Sequence, residues 1–152
     1  MPQTLSCGLI AAVLTLGPAR ANAACSIQIV APVAFGNYNV FASNPTTAVG
    51  SFTVNKCTPA APYVATFSAG SSGNVNARTM LSGANVLSYN LYSSAAYTSV
   101  LGGIGVGVSI SGNGVASNGG TIVSIYGRIL AGQDVAASAT PYSDNVTITI
   151  TF

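Results

Sequence analysis

The sequence predicts an all-β fold: a β-sandwich behind a short apolar leader. Three observations carry that expectation. Apolar residues alternate with Thr, Ser and Asn in several short stretches, the two-residue period of a half-buried strand. Turn-forming clusters separate these stretches at short spacing, and no window carries the period of an amphipathic helix. Only 4% of the residues are charged, against 49% apolar. A soluble surface must then be made of Ser, Thr, Asn, Gly and Ala. That composition suits a pleated sheet rich in Thr, Val, Ile and Tyr better than helices, whose outer faces want Lys and Glu.

The chain opens on MPQTLS, which has no Lys or Arg, followed by the apolar run CGLIAAVLTL at residues 7–16. Ala21 and Ala23 then form an A-x-A cleavage pattern. This reads as a secretory signal peptide over residues 1–23. The run is too short for a membrane span, which needs about 20 apolar residues. Removal of residues 1–23 leaves one domain, residues 24–152, with Lys56, Arg78 and Arg128 against Asp134 and Asp144, a net charge of 3 − 2 = +1. Cys7 is lost with the leader. Cys25 and Cys57 remain, and two cysteines in an exported chain read as one disulfide. Free thiols and a metal pair are the rivals; with no His in the chain, a zinc site would lack ligands.

The strands follow in order. ACSIQIVA places Cys25, Ile27 and Ile29 on one face until Pro32 breaks the ladder. SNPTT at 43–47 is a turn. VGSFTVNKC puts Phe52 and Val54 on one face, with Cys57 on the opposite parity, so a bulge or a strand end must turn it. TPAAP bounds the next run, YVATFSAG, which carries Phe67. NVLSYNLYSS turns Leu87, Tyr89 and Leu91 inward. LGGIGVGVSISGNGVASNGG, residues 101–120, reads as a mobile hairpin and loop. TIVSIYGRI and NVTITITF complete a set of about seven strands, the spacing of a sandwich. In the last of these, Val146, Ile148, Ile150 and Phe152 alternate with Thr147, Thr149 and Thr151. The predicted core is Phe35, Phe52, Val54, Phe67, Leu87, Tyr89, Leu91, Val146, Ile148 and Ile150.

The same residues exclude several functions. Four basic side chains make no stripe for nucleic acid. The Gly-rich stretch has neither the spacing nor the Lys of a phosphate loop. A nucleophilic Ser or Thr would have only Lys56 or an Asp as its base, and paired carboxylates would have to be Asp134 and Asp144, both in turn-like contexts. No catalytic, cofactor or metal residue is expected. Arg128 is expected to pair with Asp134 or Asp144 in a structural ion pair.

Four blocks carry a resemblance: FGNY at 35–38, GSFTVNKCT at 50–58, ARTMLSGANVLSYNLY at 77–92 and YGRILAGQDVAASATPYSDNVTITITF at 126–152. In this order they resemble the spore coat protein U domain family, which includes subunits of archaic (Csu-type) chaperone–usher pili. The resemblance implies an immunoglobulin-like sandwich lacking its final strand. It also implies that the last strand, at Val146, Ile148, Ile150 and Phe152, exposes an edge and groove that accept a strand from another chain. The implied partners are a periplasmic pilus chaperone, an outer-membrane usher and neighbouring pilus subunits. The implied role is an exported fibre subunit for adhesion or biofilm formation. A self-contained secreted spore-coat or matrix protein of the same fold is the alternative. Cleavage after Ala23 leaves only Ala24 ahead of Cys25, so the processed chain has no N-terminal donor segment of its own.

Overall fold

The computed structural model describes residues 3–5, 12–14, 24–138 and 140–152. The backbone forms eleven strands among these residues: β1 (Gln3–Leu5), β2 (Ala12–Leu14), β3 (Ala24–Ala31), β4 (Gly36–Tyr38), β5 (Thr46–Thr58), β6 (Ala61–Phe67), β7 (Arg78–Ser82), β8 (Asn85–Tyr92), β9 (Ile110–Gly114), β10 (Ile122–Ile129) and β11 (Ile148–Thr151). One 3₁₀ turn, Gly70–Ser72, lies between β6 and β7, and no α-helix is present among the described residues. One sheet runs β3-β5-β10-β8-β7, a second runs β2-β11-β6-β9, and β1 pairs with β4. All ladders are antiparallel except β2 on β11. The expected leader lies outside the described residues except at 3–5 and 12–14, and its cleavage site lies wholly outside them.

Between the two large sheets sits the core. All ten predicted core residues are buried. The alternation in β11 has the expected register: Ile148 and Ile150 are fully buried, while Thr147 and Thr149 are half-buried. Phe52 meets Phe67 edge-on across the sheets, with ring centroids 6.4 Å apart, and Phe35 meets Tyr89 in the same way at 5.9 Å. Such edge contacts add about 0.5–1.5 kcal/mol each beyond the area they bury.

A β-bulge settles the parity of Cys57. Along the β3–β5 ladder Ala24 faces Thr58 and Ser26 faces Asn55, so β5 holds one extra residue there. Lys56 absorbs it with a φ of 53°, in the left-handed region. The next side chain is thereby turned inward, and Cys57, fully buried, bonds Cys25 with their Cα atoms 4.1 Å apart.

Two of the sequence blocks lock the end of β10. The Gln133 side chain pairs with the backbone of β8 beyond the last β10 partner: Ser88 N–H donates to its Oε1, and its Nε2 donates to Ser88 O, both at 2.8 Å. Tyr38, fully buried, donates its hydroxyl to Leu130 O and accepts the Gln133 N–H. FGNY and AGQ thus meet as one corner.

The Gly-rich stretch holds the hairpin expected of it and a strand besides. It holds strand β9, and its first half is a hydrogen-bonded hairpin. Leu101 N–H donates to Leu91 O, Gly102 N–H to Val108 O, and Phe67 N–H to Gly102 O. Leu101 is fully buried, and a Cβ on Gly102 would collide with the Val106 carbonyl.

Candidate functional site

The candidate site is β11, the second strand of the β2-β11-β6-β9 sheet and its outermost strand within residues 24–152. Its inner neighbour is β6, in the register Ile148↔Phe67, Thr149↔Thr66, Ile150↔Ala65 and Thr151↔Val64. Its outer edge carries β2, parallel, as Ile148↔Ala12, Thr149↔Val13 and Ile150↔Leu14. β11 is thus paired on both sides, by β6 and by β2. Of the four residues assigned to the acceptor groove, Ile148 and Ile150 lie within β11. Val146 is buried just ahead of it, and Phe152 lies beyond the last paired residue, 42% exposed. Phe152 forms one wall of an open depression of about 580 Å³ whose other walls include Pro62, Tyr63, Val64 and Gly112.

The start of β11 is held by a buried polar cluster that sequence reasoning did not find. The chain first pairs with the edge of β7, where Leu81 N–H donates to Ser143 O at 2.8 Å and Ser143 N–H returns the bond to Leu81 O at 3.0 Å. It then crosses to the other sheet. Asp144, at the crossing, is 2% exposed. Its carboxylate accepts Ser71 N–H and Ser71 Oγ–H on one oxygen and the Tyr89 hydroxyl on the other, each at 2.7 Å. Gly70, at φ 65°, lies so close that a Cβ would strike that carboxylate. Thr147 N–H donates to Ser68 Oγ, and Ser68 N–H donates to Thr147 O. The 68–72 turn therefore clamps the segment feeding β11.

Arg78 supports the same turn from within the core. It is fully buried, and its fork of five N–H donors makes five bonds. Nε and Nη2 donate to Ser68 O, Nη2 also to Leu101 O, and Nη1 to Val75 O and Asn90 Oδ1. Burial lowers its pKa, and Tyr89 and Asp144 push it back up. The signal was present in the sequence: Arg78 shares parity with Met80, which is buried on the inner face of β7.

The remaining charged candidates sit elsewhere. Arg128 places its guanidinium over the Tyr97 ring, 5.3 Å from the centroid, and Tyr97 packs edge-on against Tyr92. Asp144 takes the hydroxyl and amide partners just described, and Asp134 follows Gln133 in the segment after β10. No cluster of three or more His, Cys, Asp or Glu with metal-binding geometry is present among the described residues. Nor is any helix among them long and apolar enough to cross a membrane.

The Spore Coat Protein U domain model matches residues 10–149. The chain belongs to the Spore Coat Protein U domain family, a class of coat- and pilus-type subunits. No curated protein matches the chain. The disulfide fits an exported protein.

Proposed function

We propose that the chain is an exported structural subunit of a surface pilus or fibre, assembled by donor-strand complementation. A periplasmic chaperone first supplies a strand to the β11 edge. A neighbouring subunit then replaces it at the outer-membrane usher, and the finished fibre serves adhesion or biofilm formation. The subunit holds and links and carries out no catalysis. The observation that supports this reading is the position of β11. Within residues 24–152 it is the last strand of its sheet, with Ile148 and Ile150 in the core, and its outer neighbour, β2, comes from the expected leader. Removal of the leader would leave β11 as a bare edge, and such an edge invites pairing. Strand addition satisfies it with main-chain hydrogen bonds and with apolar side chains at alternate positions.

The test is thermal unfolding of exported, processed protein with and without a peptide carrying apolar residues at alternate positions. A ligand of the folded form alone, at a hundredfold excess over its Kd, adds about 2.7 kcal/mol, or roughly 5–10 °C in Tm for a domain of this size. A stable monomer with an unchanged Tm would instead favour the self-contained coat or matrix protein.

A further inference from the structure

The apolar run expected to be a leader contains the strand that occupies the acceptor edge. Three observations meet there. Ala12–Leu14 pairs with Ile148–Ile150 in parallel. Gln3–Leu5 pairs antiparallel with Gly36–Tyr38, so the N-terminal segment is tied to the domain at a second place. The family match begins at residue 10 and so takes in β2. The run around this strand is uncharged over residues 7–16. From Leu14 to Ala24 is ten residues, which can span up to roughly 33–36 Å, ample to return from β11 to the start of β3.

We propose that residues 1–23 do more than direct export: in the unprocessed chain the segment around Ala12–Leu14 fills the chain's own acceptor edge as a parallel strand. The inference rests on the strand-acceptor reading above and adds its regulation. The precursor is closed on itself and cannot take a partner strand. Cleavage after Ala23 removes β2 and opens the edge at the moment a chaperone can fill it. Processing is then the switch between an inert chain and an assembly-competent one.

The experiment uses the full 152-residue chain, made in the cytosol so that no export processing occurs, with Cys7→Ser to remove the spare thiol. Val13→Cys with Thr149→Cys, under mild oxidation, is expected to give an intramolecular disulfide in the monomer. Leu14→Cys with Ile150→Cys should do the same, and Leu14→Cys with Ile148→Cys should not, because only a parallel strand puts 14 beside 150. No cysteine is needed for the second arm, in which a peptide copying residues 7–16 is added to the parent chain and to Val13→Pro. The parent chain should show no shift in Tm, whereas Val13→Pro, with its strand broken, should be stabilised by the peptide. If the parent chain responds as strongly as Val13→Pro and the cysteine pairs fail to join, β11 is open in the precursor. That overturns this inference and leaves the acceptor edge standing. If neither chain responds and no pair joins, the acceptor reading falls as well.

Discussion

Arg78 and Asp144 are the two charges the core contains, and neither forms a simple ion pair. Each is satisfied by loop backbone and by neutral side chains, so their work is to fix the 68–72 turn against the segment entering β11. Removing Arg78 leaves the Ser68, Val75 and Leu101 carbonyls without its donors and the buried Asp144 carboxylate without its cation. Arg78→Met should cost about 3–5 kcal/mol in urea unfolding. Arg78→Lys should recover only part of it, because three donors on a point charge cannot reproduce the planar fork. A loss under about 1 kcal/mol for Arg78→Met would mean that the turn is held by other contacts. Tyr63 and Tyr142 make a second prediction at this scale. Burial raises both hydroxyl pKa values above the ordinary 10.0. The sign follows from linkage: above that pH the unfolded chain ionises first and binds fewer protons, so stability present below pH 10 is lost as pH rises through the folded values. Alkaline unfolding should therefore set in above about pH 10, with tyrosinate absorbance rising alongside the loss of structure. Tyr63→Phe should move the onset upward.

Among the elements, the ladder of β3 on β5 carries the disulfide, and the bulge at Lys56 is what makes the bond possible. Cys25→Ala with Cys57→Ala opens a loop whose ends are 32 residues apart, and the chain-entropy model puts the loss at roughly 3.5–4 kcal/mol. Lys56→Gly should behave in the opposite sense to a usual glycine substitution. A left-handed conformation costs a non-glycine residue about 1–2 kcal/mol, so the variant should match or exceed the parent in stability; a loss of more than about 1 kcal/mol would show that the Lys56 side chain matters there. On β11, Ile148→Ala should cost about 2–5 kcal/mol, and Thr149→Ala under about 1. The strands themselves were legible in the sequence because alternation is a local signal: it placed Phe52, Leu87 and Ile148 in the core without any knowledge of pairing. What alternation cannot report is which strands become neighbours, or where a ladder slips. Cys57 on the wrong parity was the visible trace of a slip, and only the β3 register identified its cause. Arg78 was passed over because a charge on an inward position looks like an exception until the carbonyls that receive it are in place, and these come from irregular segments at Ser68, Val75 and Leu101 that carry no periodic signal. The inward register of Ile148 and Ile150 was readable as a pattern, but the parallel neighbour of β11 was not. Residues 12–14 carry no alternation, and an apolar leader and a buried strand look alike at that length.

For the whole molecule, the sparse charge sets how copies of the chain meet one another. Residues 24–152 contain Lys56, Arg78, Arg128, Asp134 and Asp144 as their only charged side chains. Arg78 and Asp144 are buried, and Arg128 is engaged with Tyr97. Almost nothing is left to steer or repel a neighbour electrostatically. On the proposed reading, association through β11 rests on main-chain hydrogen bonds and apolar anchors. Between about 0.01 and 1 M sodium chloride the screening length falls from roughly 30 to 3 Å. Over that range the rate at which processed chains take up a donor strand should change by less than about twofold, whereas an association steered by charge falls steeply with salt. Urea should slow uptake and release assembled chains, because it solvates both peptide groups and apolar surface. Light scattering of processed chains with and without donor peptide, followed across the salt range, reads this directly. A steep loss of association with salt would place the binding force on charged groups, of which this surface has few, and would move the site of assembly away from β11.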